Sequence, residues 1–452
     1  MSISPSQEAA YSSYVLHPKQ RVRRWSLTMA WWALFSAMFW VYVAVASATA
    51  FGTGATIVGM ILTVATYGAA NYVLSRYAAR TGLTVEQLSR SLFGIIGSGL
   101  ATLIFAATAI YYAVFEGSII AVALKQFFGG EITLWYALVV LYALPLVAGG
   151  VQNWLDRLNG WLLPLYIAGL AAAVIATAVL KGAPPALPAA AVSGPVPGWL
   201  GAYLVYMGVW IMMMYTFDYA RLGKKQDEKF HGTITFGWVF YLFTFGLNGA
   251  VGIYLVSAWG AKSTETGVVE AFISALGIFG VLVILISQTR INTANYFLAS
   301  TNLDAFARRV FKLSLPRWVW VIVSGAIAFL LMLTNVLSYL LKALAWQGVF
   351  VTAWVAIALV YIALSRRDGL GLPEVRKSHL PEVNAGALSW VAASVIGIVL
   401  TEQTAVPVLA EIAPLITVAV AGGGYWIAYS VQRPRTLSHE DSANPELSVE
   451  HS

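Results

Sequence analysis

Two charged residues lie deep within apolar sequence: Glu116 in AIYYAVFEGSIIAVAL (109–124) and Arg290 in SQTRINTANYFLAST (287–301). At membrane depth a charged side chain costs about 2.5–3.5 kcal/mol on insertion scales, so such groups mark pathways or partnered sites. Tyr112 precedes Glu116 by four residues, which sets ring and carboxylate one turn apart on one helix face. A ring able to stack on a flat heterocycle, beside an acceptor for its N–H groups, makes a binding pair. In the second stretch Gln288, Asn292, Asn295 and Ala299 recur at i, i+4, i+7 and i+11, forming one stripe. Carboxamides both donate and accept, which suits a ligand with a hydrogen-bonding edge. Arg290, two residues before Asn292, falls about 200° around the helix and faces elsewhere. Structural alternatives exist for both: Glu116 pairing with Arg290 across helices, and amides that hold helices together.

These residues need a scaffold, and composition says which kind. The chain has 452 residues, 59% hydrophobic and only 10% charged, with mean hydropathy +0.74. Soluble domains carry about 25% charged residues, so the solvent here is a bilayer. Apolar stretches near 20 residues recur, each able to cross a hydrocarbon core of roughly 30 Å. They must be helices, because lipid offers the backbone no hydrogen bonds; the alternation of a barrel is missing. Twelve spans are predicted near 27–50, 54–77, 97–126, 132–150, 160–180, 199–218, 232–258, 267–299, 317–340, 343–364, 385–402 and 405–430. Residues 1–24 and 432–452 read as polar tails, and GAPPALPAAAVSGPVPG (182–198) as an extended loop.

Sidedness follows from the basic residues. Of 27 Lys and Arg, only Lys125, Lys181, Lys262 and Lys342 fall in one set of loops, and Arg290 lies inside a span. The remaining 22 fall on the side of the N-terminus, which predicts a multi-pass protein of the inner (plasma) membrane with both termini cytoplasmic. The net charge of +7 sits in loops beside spans and does not argue for nucleic acid. Without cysteine there is no disulfide or thiolate metal site. The five histidines (17, 231, 379, 439, 451) read as tail or loop residues, so no metal site or cofactor is expected. No P-loop is present to couple ATP, and no nucleophile–base pair argues for an enzyme. The sixth span, VYMGVWIMMMYTFDYARL (205–222), offers Trp210 as a second ring and closes on Asp218 and Arg221, expected to pair at the helix end.

Several motifs resemble one family. YAARTGLTVEQLSRSLFGIIG (77–97) is similar to the R-x-G-L-x-x-x-x-L-x-R-x-x-F-G-x-x-G motif of the nucleobase–cation symporter-1 family, the purine/cytosine, allantoin and hydantoin permeases. Arg80, Gly82, Leu83, Leu88, Arg90, Phe93, Gly94 and Gly97 match it. DYAR (218–221) resembles the D-[FY]-x-R motif of the family's sixth helix, and INTAN (291–295) its eighth-helix T-N-x-x-N core. The resemblance covers roughly residues 25–430.

That resemblance implies an all-α, LeuT-type 5+5 inverted repeat: 25–180 (helices 1–5), an extracellular loop 181–198, 199–364 (helices 6–10), then helices 11 and 12 in 365–431. It places a substrate near the midplane between broken helices 1 and 6 and helices 3 and 8. By position, Tyr112 stands for a stacking Trp and Glu116 for a Gln; Trp210, or its neighbour Val209, stands for a second ring. Gln288, Asn292 and Asn295 complete the expected substrate site. The first-helix break is expected near Ala44–Ser47, although no glycine lies there. Where sodium-coupled members carry hydroxyl residues, this chain has Arg290 and Ile291. The expectation is therefore proton-coupled uptake of a planar nitrogen heterocycle, with Glu116 and Arg290 serving ion coupling. A sodium-coupled symporter, a passive facilitator or a ligand-sensing receptor are the alternatives.

Overall fold

The computed structural model describes residues 15–16, 18–148, 156–182, 194–334, 340–432 and 434. Most of the expected tails and of the 181–198 loop lies outside the described residues. The regular elements are helices: α1 (Arg24–Trp31), α2 (Met38–Phe51), α3 (Thr53–Thr81), α4 (Val85–Phe128), α5 (Ile132–Ala148) and α6 (Asp156–Lys181). There follow α7 (Gly198–Met207), α8 (Ile211–Ala220), α9 (Lys225–Trp259, interrupted by two π-helical turns), α10 (Glu265–Leu276) and α11 (Ile278–Val310). The chain closes with α12 (Arg317–Met332), α13 (Leu340–Arg367), α14 (Ala385–Glu402), α15 (Pro407–Glu411) and α16 (Ala413–Val431).

Among the described residues, seven helices are long and apolar enough to cross a membrane, and nine if each bent pair counts as one span. The bent pairs are α1/α2, at 43°, and α7/α8, at 45°. Two shorter apolar helices, α5 and α12, pack into the same bundle as the 33-residue α11, which carries the polar stripe. Large apolar side chains face outward along these helices: Leu141, Ile175, Val399 and Ile427 are each at least 60% exposed. A surface so apolar is solvated by lipid tails and not by water.

Four expectations need correction. The first-helix break falls at 32–37, not near Ala44–Ser47, which lie inside continuous α2. The predicted eighth span 267–299 merges two helices, because α10 is itself apolar; Gly277, at φ 58°, separates it from α11. The third helix begins at Val85, twelve residues early, and kinks at Gly94. His231, expected in a loop, is fully buried near the start of α9, its Nδ1 2.9 Å from Thr235 Oγ1.

α4 and α11 make the most extensive helix pairing in the molecule. Gly117 sits at this contact: a Cβ there would lie 3.4 Å from Asn292 Nδ2 of α11 and 2.5 Å from Met332 Cε of α12. This pairing brings the Glu116 and Gln288 segments together. At the basic end of the bundle, the segment before α1 is fastened to the end of α8. Val22 N–H donates to Leu222 O (2.9 Å), and Arg21 Nη1 donates to Gly223 O (2.8 Å).

Candidate functional site

The site begins at WALFSA (32–37), where the first helix unwinds without proline or glycine. An unwound segment inside a bundle must find partners for its backbone groups, and here each carbonyl from 32 to 36 has one. Arg290 Nη2 donates to Trp32 O (2.8 Å), Ser36 Oγ to Ala33 O (2.8 Å) and Trp40 Nε1 to Leu34 O (2.8 Å). Asn248 Nδ2 donates to Phe35 O (2.6 Å), and Ser287 Oγ to Ser36 O. Three other helices, α9, α11 and α2 itself, therefore hold the break open.

The first N–H groups of α2 have no intrahelical acceptor, and they meet the two residues singled out from sequence. Met38 N–H donates to Gln288 Oε1 (3.1 Å), and the Phe39 N–H lies near the Glu116 carboxylate. Gln288 Nε2 donates to the same carboxylate and to Glu116 O (3.1 Å), while Ser287 Oγ donates to Gln288 Oε1 (3.1 Å). A negative charge at a helix N-terminus is favourable through both the free N–H groups and the helix dipole. Glu116 is 1% exposed and makes no ion pair among the described residues; its carboxylate accepts from the Gln288 amide. The alternative in which Glu116 pairs with Arg290 is not what the structure holds.

The second break, in helix six, is tighter. Gly208, Val209 and Trp210 N–H groups reach back three residues to Val205, Tyr206 and Met207 carbonyls (3.1, 3.0 and 3.2 Å). Tyr67 Oη donates to Tyr206 O. Between the two breaks lies a cavity of about 20 Å³, room for about one water. Ala37, Phe39 and Trp40 wall it on one side, Tyr112 and Glu116 on a second, Val209, Met212 and Tyr215 on a third, and Ile291 and Asn295 on the last. A planar heterocycle enters this space only if the walls move apart. Phe39 packs edge-on to Tyr112, centroids 5.5 Å apart, and Gln347 Nε2 donates to Tyr112 Oη (3.2 Å), tying α13 to the cavity roof.

The sequence-derived residues divide. Tyr112, Glu116 and Asn295 line the cavity, and Gln288 stands behind Glu116. Asn292 turns toward Gly117 at the α4/α11 contact and accepts from Asn295 Nδ2 (3.4 Å). Trp210 points away, edge-on to Tyr67 at 6.4 Å, and Val209 takes the wall position. Arg290 is fully buried on the far side of α11, at the end of α1. Asp218 accepts from Val85 N–H (2.7 Å), capping α4, and makes no ion pair with Arg221 among the described residues. Sequence reasoning missed Phe39, Trp40, Met212, Tyr215 and Gln347. The aromatic run MFW (38–40) directly after the break was the one available signal.

No family model matches the chain, and no curated protein matches it in sequence. Solved structures do. Mhp1, a nucleobase-cation-symport-1 family transporter in a closed conformation with bromovinylhydantoin bound, superposes with a TM-score of 0.73 at 15% identity, covering 97% of this chain and 99% of that one. Its inward-facing conformation gives 0.72 over 95% and 98%, again at 15% identity. A Na+-coupled sialic acid symporter in a substrate-bound outward-open state gives 0.64 at 14% identity, over 95% and 96%. At such identities the likeness is one of architecture: this chain has the broken-helix, LeuT-type membrane fold of those transporters.

Proposed function

We propose that the protein is a secondary active transporter that imports a planar nitrogen heterocycle of the nucleobase, allantoin or hydantoin class by alternating access, driven by protons. The observation that carries this reading is the junction where Glu116, two half-helix ends and a ring of aromatic side chains meet at one cavity. Half-helix ends at the midplane are where transporters of this build bind substrate and coupling ion. The bromovinylhydantoin held by Mhp1, a flat ring with amide-like edges, supports the substrate class. Residues 25–180 and 199–364 then act as inverted repeats that rock about the site, with both termini in the cytoplasm.

Glu116 does two jobs on this reading. Charged, it holds the α2 N-terminus and accepts from a ligand N–H in competition with Gln288. Protonated, it no longer sets a negative charge against the α2 N-terminus, so proton binding, ligand binding and the position of α2 are linked. Tyr112 and Phe39 supply stacking surfaces, and Asn295 an amide edge; Asn292 and Trp210 act through packing behind them. Sodium is disfavoured, because Arg290 and Ile291 place a cation and a hydrocarbon where oxygen ligands are needed. In proteoliposomes, uphill uptake of labelled cytosine, hypoxanthine or a hydantoin should require a pH gradient. Glu116→Gln should lose that uphill uptake and keep exchange; a variant that still accumulates substrate with unchanged pH dependence sinks the proton assignment.

A further inference from the structure

Arg290 brings a positive charge to the membrane interior with no carboxylate in hydrogen-bonding reach among the described residues. Its Nη2 donates to Trp32 O at 2.8 Å, while Nε and Nη1 meet no acceptor among the described residues, and the side chain is fully buried. Its surroundings are neutral: Tyr166 of α6, which donates to Asn248 Oδ1 (2.9 Å), and, on its own helix, Thr293, which donates to Arg290 O (2.7 Å). The counter-charge is therefore the carbonyl end of α1. A helix C-terminus carries roughly half a negative charge, and Trp32 O has lost its helical partner to the break. In broken-helix transporters, unwound carbonyls and half-helix C-terminal ends are where the coupling cation is held.

We propose that Arg290 is a tethered cation that permanently fills the monovalent-cation position at the end of α1. The wild-type protein then needs no sodium, and cutting Arg290 back to a small hydroxyl residue converts the position into a sodium site. The geometry suits the exchange. Arg290→Ser removes the guanidinium and its stem, frees Trp32 O, and leaves a hydroxyl at the α11 side of the vacated space. The α1 break, no longer neutralised from α11, closes only when an external cation enters. This rests on the transport reading for its purpose, not for its test.

The test is a sodium titration of the purified full-length protein against choline, read by thermal unfolding and by cytosine or hypoxanthine binding. Wild type and Arg290→Lys should show no saturable response to sodium. Arg290→Ser should be stabilised saturably by sodium, and sodium should tighten heterocycle binding by about 5–150-fold, the ordinary range for coupled sites. Saturable sodium stabilisation of the wild type overturns the proposal, as does an Arg290→Ser protein indifferent to sodium, lithium and potassium. Should Arg290→Ser not survive purification in choline, recovery in sodium supports the proposal, and failure in both overturns it. If no heterocycle shifts the wild type, the substrate reading fails while the sodium comparison still decides the role of Arg290.

Discussion

Gln288 is the residue on which the site's geometry depends most directly, and replacing it by leucine tests that. Its Nε2 satisfies the Glu116 carboxylate and its Oε1 satisfies the Met38 N–H. Ser287 keeps a second acceptor, Ser36 O, so Gln288→Leu strands two buried groups and not three. A buried group left unpaired costs about 1–3 kcal/mol, more when charged, but interhelical hydrogen bonds in membranes average only about 0.6 kcal/mol and reach about 1.7. Taking the upper membrane value for the carboxylate and the average for the N–H gives roughly 2 kcal/mol, or about 30-fold in an equilibrium constant. The loss falls on the arrangement that holds α2 against α4. Heterocycle affinity should therefore weaken by about that factor, with a lower unfolding temperature in detergent. Gln288→Glu should do comparable harm at high pH and less at low pH, where one proton shared between the two carboxyl groups restores a hydrogen bond. A Gln288→Leu protein that melts with the wild type and binds the same heterocycle equally well would refute the site as described.

Other consequences are open to measurement. Val209→Phe should change which heterocycles compete for uptake, whereas Trp210→Phe should leave competition unchanged, because Val209 and not Trp210 faces the cavity. Gly348→Val should arrest transport with the protein still folded, since a Cβ there lies 3.0 Å from Gly208 Cα and wedges α13 from the second break; normal turnover would show that this contact is not kept through the cycle. Gly94→Ala should destabilise by about 1–3 kcal/mol, because φ 79°, ψ −173° is essentially glycine-only; an unchanged unfolding temperature would count against the kink. In the loop before α14, burial alone would raise the Glu374 carboxyl, but hydrogen bonds from the Arg376 side chain and backbone hold it below its ordinary value. A lowered carboxyl stabilises above the unfolded pKa, about 4.3, and that contribution disappears as pH falls through the folded value. Protection of the Val375 and Arg376 amides, relative to their intrinsic exchange rates, should accordingly fall only in acid, and Glu374→Gln should lower that protection already at neutral pH.

Membrane residence and helical class were legible because they depend on sums over many residues, and Glu116, Tyr112 and Gln288 were legible because polarity inside apolar sequence is conspicuous. The breaks were not. Helix one bends at a sequence of ordinary helix formers and one serine, because Asn248, Ser287 and Arg290 compete for its carbonyls from more than 200 positions away. Helix period alone put Asn292 and Asn295 on one stripe, yet the packing of α4 at Gly117 divides them. The 77–97 motif read as a family mark is structural where it can be followed. Arg80 binds Glu228, Arg90 binds Glu86 and Val375 O, Phe93 stacks on Trp390 at 4.9 Å, and Gly94 lets Ile95 and Ile96 donate to Pro381 and Glu382 carbonyls. A reader of the sequence sees the spacing but not the loop it clasps.

The bend in helix one belongs to its neighbours. Released into lipid by itself, the peptide from Arg24 to Phe51 has nothing in its own sequence to stop it from straightening into one rod, regaining along its axis the bonds it now borrows. The folded protein thus keeps a spring cocked by amide, hydroxyl and guanidinium groups on other helices, and its release is tuned by residues that never touch the cargo.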